Sequence, residues 1–131
     1  MKMNRKTALI ILLLLTSLAG FSQISIRMFA RTRPSALFLT TVSGACLLHD
    51  EAEGEVRIDA GDIVAVSMHD SRIIYRTLSG IIGAADSLTF TPVSAGTLIN
   101  LRAPGSNEPE KTLEGKIKIK PFPGSLLILN I

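Results

Sequence analysis

Short apolar or alternating runs, separated by turn residues, follow one another from residue 24 to the end of the chain. No long stretch of this part has the period of an amphipathic helix, and short runs spaced roughly 8–12 residues apart are typical of sandwiches and barrels. The pattern therefore predicts an all-β fold of mostly antiparallel short strands, either sandwich-like or barrel-like. The predicted strands are residues 24–29, 37–42, 45–49, 56–59, 63–68, 72–76, 88–92, 97–101, 112–120 and 126–131.

One segment departs from the strand pattern. Residues 81–87 are the only helix candidate after the N-terminal region. Gly80 and Gly83 follow a predicted strand, but their spacing matches neither phosphate-loop fingerprint. We interpret this glycine pair as a flexible bend in the chain.

The N-terminus has the composition of a secretory signal peptide. A basic segment, residues 1–6, precedes the apolar run 7–18, and small residues precede a predicted cleavage site between Ser22 and Gln23. The apolar run is shorter than the roughly 20 residues that span a bilayer. Residues 1–22 therefore predict a signal-peptide helix. Residues 23–131 predict an exported protein of the periplasm, cell envelope or medium that meets the membrane only during export.

Removing the predicted signal peptide changes the charge balance. The whole chain has 14 Lys and Arg against 11 Asp and Glu, a net charge of +3. Three basic residues leave with the signal peptide, so that 11 basic residues balance 11 acidic ones. The basic pI thus gives no reason to expect a nucleic-acid partner, which needs a basic patch on the folded part. One basic cluster remains and is interpreted as a solvated strand end and turn: Arg27, Arg31 and Arg33.

Two turns and one cysteine carry residue types that also occur in metal or catalytic sites. Residues 49–53 read His-Asp-Glu-Ala-Glu without the glycine and ligand spacing of a calcium loop, which favours a solvated acidic turn over a metal site. Residues 69–71 are His, Asp and Ser, but neighbours in a tight turn point apart, whereas a triad converges from separate positions. Cys46 lies among apolar residues, which predicts a buried, inert thiol. These patterns predict no catalytic residue, metal ligand or cofactor.

Several acidic residues are of the type that forms the catalytic pair of a glycosidase. Glycosidic cleavage needs two carboxylates roughly 5–10 Å apart. The four candidates all adjoin turn residues, which favours turn and capping roles: Asp59, Asp62, Asp70 and Asp86. A hydrolase that uses Asp59 or Asp62 stays open as a further alternative.

Lysines and isoleucines alternate in the predicted strand 112–120. Lys116, Lys118 and Lys120 share one face, and Ile117 and Ile119 share the other. A row of lysines protects the edge of a sheet or, alternatively, contacts an anionic polymer. We take the three lysines as binding candidates. Sugar-binding platforms commonly use aromatic faces, and this chain has no Trp and a single Tyr.

The order of elements, together with two short motifs, carries a resemblance to a known family. A short strand follows the predicted signal peptide, several hairpins come next, and a Gly-x-Ile-x-Ile run at 115–119 precedes the strand 126–131. This order resembles the N-terminal half of the stage II sporulation protein D / LytB (SpoIID/LytB, amidase-enhancer) domain in versions from non-sporulating bacteria. The matching positions are Gly115, Ile117, Ile119, Leu127 and Asn130. The common Tyr-Arg-Gly of the family is Leu-Glu-Gly here, at 113–115.

The resemblance implies a role in peptidoglycan processing, either in glycan-strand cleavage or in enhancing a partner cell-wall amidase. The catalytic glutamate of active members lies after the position of Asn130, so none is carried over and we expect no enzymatic activity. Gly115 and Asn130 are implied to be structural. The apolar strand 126–131 ends the chain, which predicts an incomplete domain in residues 23–131. The alternative is a complete small exported β-sandwich that acts in adhesion or binding.

Overall fold

The computed structural model describes residues 24–50 and 54–131. The predicted signal peptide and the acidic residues Glu51 and Glu53 lie outside the described residues. Within the described ranges no segment forms a helix that could cross a bilayer. The strands are β1 (Ile26–Met28), β2 (Ala36–Ser43), β3 (Ala45–Asp50), β4 (Gly54–Asp59), β5 (Ile63–His69), β6 (Arg72–Thr77), β7 (Ile82–Ala85), β8 (Leu88–Pro92), β9 (Leu98–Arg102), β10 (Lys111–Leu113), β11 (Ile117–Phe122) and β12 (Ser125–Asn130).

The twelve strands form two six-stranded antiparallel sheets. The first sheet has the order β1-β12-β11-β8-β3-β4, and the second has the order β10-β9-β2-β5-β6-β7. They pack face to face, with β11 and β12 of the first sheet against β6 and β5 of the second. Each sheet keeps two edge strands, so the fold is a sandwich rather than a closed barrel. The all-β, sandwich-like prediction is confirmed.

The core lies between the sheets and is largely aliphatic. Along each central strand every second side chain is buried, because side chains alternate between the two faces of a strand. Phe90 on β8 and Tyr75 on β6 are the largest buried side chains. Fully buried aliphatic residues come from both sheets and include Leu37, Leu39, Leu48, Ile58, Ile73, Leu88, Ile99, Leu101, Ile117 and Ile119.

The predicted strand 112–120 is wrong as a single element. The segment forms β10 in the second sheet and β11 in the first. Gly115 separates the two strands with a φ of +96°, a conformation that glycine adopts readily and other residues rarely do. A Cβ at this position would also lie 2.8 Å from the carbonyl oxygen of Ile131. The chain therefore changes sheet at the one residue of the segment that can make this turn.

The helix candidate at 81–87 is wrong, because residues 82–85 form the edge strand β7. So short a segment cannot form a stable helix by itself, whereas pairing with β6 satisfies its backbone on one side. Gly80 does lie in a turn, at a φ of +102°. Gly83 lies within the strand instead, opposite Tyr75, so the interpretation of both glycines as one flexible bend is wrong.

A buried polar contact joins the two sheets. Asp50, at the end of β3, is only 2% exposed. The Tyr75 hydroxyl on β6 donates a hydrogen bond to Oδ2 of Asp50 at 3.4 Å. Gly83 on the neighbouring strand makes room for Tyr75, because an added Cβ would overlap the ring. The position of the tyrosine thus depends on the absence of a side chain at residue 83.

A second polar link joins the segment after β1 to the loop between β9 and β10. The backbone N–H and the hydroxyl of Thr32 both donate to Oε1 of Glu108, at 3.0 Å and 2.6 Å. The hydroxyl bond, the backbone bond and the nearby Lys111 and Arg31 lower the pKa of Glu108. Each of these groups favours the ionised carboxylate.

We predict that Gly83→Val destabilises the protein by about 1–3 kcal/mol, the usual cost of overpacking a core. The new side chain must displace the Tyr75 ring, and with it the contact to Asp50. Ala84→Val is the matched control, because Ala84 faces away from the core on the same strand. Urea unfolding followed by circular dichroism measures both variants. Equal unfolding midpoints for the two would contradict the packing argument.

The Thr32–Glu108 link predicts a pH dependence of stability. The pKa of Glu108 is lower in the folded protein than in the unfolded chain. Its contribution to the free energy of unfolding is therefore complete above the ordinary glutamate pKa of about 4.3. It is lost as the pH falls through the lower folded value. In this pH range we expect the urea unfolding midpoint of Glu108→Gln to depend less on pH than that of the wild-type protein. Glu110→Gln serves as the control, because Glu110 forms no ion pair or side-chain hydrogen bond within the described ranges. A profile that is unchanged in Glu108→Gln would refute the link.

Candidate functional site

The outward face of the first sheet carries the binding candidates. The strand register aligns one residue from each of the six strands in a single row across this face. Because directly paired residues point to the same side of a sheet, these side chains are neighbours. From β1 to β4 the row is Arg27, Leu129, Lys118, Thr89, His49 and Glu55.

The three candidate lysines lie on this face, along β11. Lys118 is half-buried in the row, and Lys116 and Lys120 are exposed on either side of it. The edge-protection interpretation is wrong, because β11 is an interior strand that pairs with β12 and β8. Within the described ranges none of the three ammonium groups forms an ion pair with a carboxylate. Their positive charges are available to a ligand.

Among the described strands, the acidic side chains of this face are confined to β4, at its far edge. Glu55 lies 3.9 Å from the imidazole of His49. Asp59 accepts a hydrogen bond from Nε of Arg57 at 2.9 Å. The half of the face that is formed by β1, β12 and β11 is therefore positively charged. We call this half the basic strip; its charged residues are Arg27, Lys116, Lys118 and Lys120.

An exposed aromatic ring lies at one end of the basic strip. Phe122 is 40% exposed and follows the lysines at the same two-residue spacing. The guanidinium of Arg27 lies 5.1 Å from the centre of this ring, so the contact spans β12. The sequence pattern did not indicate Phe122, because residues 121–124 contain two prolines and a glycine and are typical of a turn. The signal for Phe122 was the two-residue spacing that it shares with the preceding lysines, which indicates that the strand continues to residue 122.

A shallow cleft of about 680 Å³ adjoins Phe122. It lies between the turn that joins β5 to β6 and the turn that joins β11 to β12. Its walls are formed by Ser35, Met68, Asp70, Ser71 and residues 121–124. The cleft therefore offers a ring and two hydroxyls, which suit a polar ligand such as a sugar, together with the carboxylate of Asp70, which disfavours an anionic group at this end of the strip.

The structure brings Gly115 and Asn130 together at the other end of the basic strip. The amide of Asn130 donates to the carbonyl of Glu114 at 3.0 Å and to that of Lys116 at 3.4 Å. Lys116 and Ile131 also exchange two backbone hydrogen bonds, of 2.8 Å and 3.2 Å. These contacts fix the backbone on both sides of Gly115, and with it the position of Lys116.

Only His49 and Asp50 of the acidic segment 49–53 belong to the described residues, and their side chains point to opposite faces of β3. His49 faces outward on β3, whereas Asp50 points into the core. The prediction of a solvated turn is wrong for Asp50, because its bond to Tyr75 places it between the sheets. No group of three or more His, Cys, Asp or Glu side chains converges among the described residues.

Residues 69–71 form the hairpin turn between β5 and β6. Asp70 and Ser71 have φ values of +47° and +67°, as a two-residue hairpin turn of the primed type requires. Nε2 of His69 lies 3.4 Å from Oδ2 of Asp70, with both side chains largely in solvent. Among the described contacts no hydrogen bond joins Ser71 to this pair. The predicted turn is confirmed.

The other candidate carboxylates hold turns or pair with arginines. Oδ1 of Asp62 accepts hydrogen bonds from the backbone N–H groups of Ile63 at 2.9 Å and Leu78 at 3.2 Å. Asp62 thereby ties the turn before β5 to the turn after β6. Asp86 lies 3.4 Å from Nε of Arg72, and Asp59 is bound to Arg57. The contacts of Asp62 agree with the predicted turn role, whereas the side chains of Asp59 and Asp86 pair with arginines instead.

Cys46 is fully buried on β3, as predicted. Its sulfur lies 3.4 Å from Oγ1 of Thr41. Burial raises the pKa of the thiol, and the contact with Thr41 only partly opposes this. At neutral pH the group is therefore a neutral thiol in an apolar environment, without the thiolate character of a nucleophile.

We predict that Cys46 reacts with iodoacetamide more than about 100-fold more slowly in the folded protein than in urea. A thiol that is reached only by unfolding reacts in proportion to the small open population. Mass spectrometry of samples taken over time gives both rates. Comparable rates in the two states would mean that the thiol is accessible in the folded protein.

No protein-family model, curated protein or solved structure matches this chain.

Proposed function

We propose that the chain is the β portion of an exported, non-catalytic protein of the cell wall that binds an anionic wall glycan on the basic strip. One observation carries the proposal: Lys116, Lys118 and Lys120 lie on an interior strand and form no ion pair with any carboxylate of the described residues. Lysines in that position do not protect an edge. Their mutual repulsion costs stability, and an anionic ligand relieves it.

The dimensions of the basic strip suit an extended polymer. The outward residues from Lys116 to Phe122 cover six residue steps, or roughly 20 Å at about 3.3 Å per residue. Successive lysines are then about 7 Å apart along the strand. A peptidoglycan strand carries acidic peptide substituents along a sugar backbone. The lysines suit those carboxylates, and the exposed ring of Phe122 suits the face of a sugar.

The SpoIID/LytB resemblance supports the same ligand from the sequence side. It implies that binding serves glycan cleavage or the enhancement of a cell-wall amidase. The contacts of Gly115 and Asn130, which are two of the matching positions, support a structural role for both. In this proposal the described strands hold the glycan, and the bond cleavage belongs to other residues or to a partner enzyme.

A second candidate is an adhesion or binding module without a role in wall enzymology. One observation favours it: β12 is an interior strand that pairs with β1 on one side and β11 on the other. Both edges of β12 are thus paired within the described residues, as an adhesion or binding sandwich requires. The two candidates differ in ligand, and binding to purified wall material distinguishes them.

We predict that Lys118→Glu weakens binding to purified peptidoglycan sacculi by about three- to tenfold, or roughly 1 kcal/mol for reversing one contact charge. Arg76→Glu is the matched control. Arg76 is an outward basic residue in the interior of the second sheet, on the opposite face of the sandwich. Cosedimentation with sacculi at low and high salt measures binding, and unfolding midpoints verify that both variants fold.

Two results would refute the proposal. In one, the wild-type protein does not cosediment with sacculi at low salt, which leaves the adhesion candidate. In the other, Lys118→Glu and Arg76→Glu bind equally well, which shows that any attraction does not use the basic strip. Binding that weakens with salt in the wild-type protein is expected, because solvent-exposed charges are screened.

A further inference from the structure

The four edge strands of the sandwich differ in their protection against pairing. β1 carries Arg27 at its centre, β10 begins with Lys111, and β4 alternates Glu55, Arg57 and Asp59. Charged side chains are a common means of preventing another strand from pairing with an edge. β7 reads Ile-Gly-Ala-Ala and has neither a charge nor a proline. Of the four edges in the described structure, β7 alone lacks this protection.

The backbone of β7 presents a defined set of open hydrogen-bonding groups. The carbonyl of Ile81 accepts a hydrogen bond from Thr77 on β6. In an antiparallel pair, successive residues alternate between facing the partner strand and facing away. Residues 81, 83 and 85 therefore direct their backbone groups towards β6. Ile82 and Ala84 direct theirs towards the open edge.

We propose that β7 pairs antiparallel with β7 of a second copy of this chain, about a two-fold axis at Gly83. This register places Ile82 opposite Ala84 of the second copy, and Ala84 opposite Ile82 of that copy. Each of these four residues directs its backbone N–H and C=O groups towards the open edge of its own sheet, so four hydrogen bonds form between the copies. The second sheet of one copy and the second sheet of the other copy then form one continuous sheet.

The side chains agree with this register. Ile82 is 60% exposed on the outward face of the second sheet. In the pair, each large isoleucine lies beside a small alanine, and the two glycines meet at the axis. Ile74, which pairs with Ala84 within one copy, extends the apolar row to the Ile82 of the second copy. No like charges oppose each other across the axis.

A second copy is a better occupant than an unrelated strand, because the edge is complementary to itself. A closed two-fold interface requires one patch to match its own image, and the large-small alternation about Gly83 does so. With four residues in each strand the contact is small, so we expect weak, concentration-dependent association rather than a permanent dimer. This inference does not depend on the proposed ligand, which lies on the other sheet.

The test uses the full chain, which is expressed from Met1 and purified in whichever processed form the expression host produces. Sedimentation and light scattering are measured up to about 1 mM protein, which detects a dimer with a Kd as weak as about 1 mM. The average mass should rise from that of one protomer towards that of two. Ala84→Pro removes only the backbone N–H that points to the open edge of β7, and an edge strand tolerates proline at such a position. Ile82→Lys places a charge on the edge. Both variants should stay monomeric throughout.

Ile26→Lys is the matched control, because Ile26 is a similarly exposed isoleucine, at 57%, on the edge strand β1. It should associate like the wild-type protein. A wild-type protein that remains monomeric over the whole range overturns the proposal. So does a dimer that survives both Ala84→Pro and Ile82→Lys, since it must use another surface. Unfolding midpoints verify that the two β7 variants are folded.

Discussion

Burial of one face of each sheet is the constraint on which the rest of this structure depends. Because side chains alternate along a strand, placing Ile117 and Ile119 in the core turns the neighbouring lysines of β11 outward. A shift of one residue in register would bury charged groups and expose the isoleucines. The same aliphatic packing that stabilises the sandwich therefore creates the basic strip and fixes its direction.

A small number of specific contacts refine this general constraint. The hydrogen bond between Tyr75 and Asp50 brings a tyrosine and a carboxylate together between the sheets, and Gly83 leaves the space that the ring needs. Just before β11, the side chain of Asn130 holds the backbone around Gly115. In both cases a neighbouring group leaves no space for a side chain, so only glycine fits at that position.

The two proposals assign different surfaces of the sandwich to different tasks. The outward face of the first sheet is positively charged along β1, β12 and β11, and we associate it with an anionic glycan. The edge of the second sheet at β7 is uncharged, and we associate it with a second copy. A dimer built through β7 would present two basic strips, so that a long polymer could engage both and bind more tightly than to either alone.

The sequence by itself determined the all-β class, most strand positions, the aliphatic core and the buried thiol of Cys46, because period-two alternation and local turn residues are properties of short segments. Only the tertiary structure decided that Lys118 lies on an interior strand, that residues 112–120 are divided between two sheets, and that Asp50 is buried against Tyr75. Each depends on which distant strands pair, and the apolar residues of any strand can pack against many others. The helix candidate at 81–87 failed for the same reason: pairing with β6, not local propensity, made it a strand.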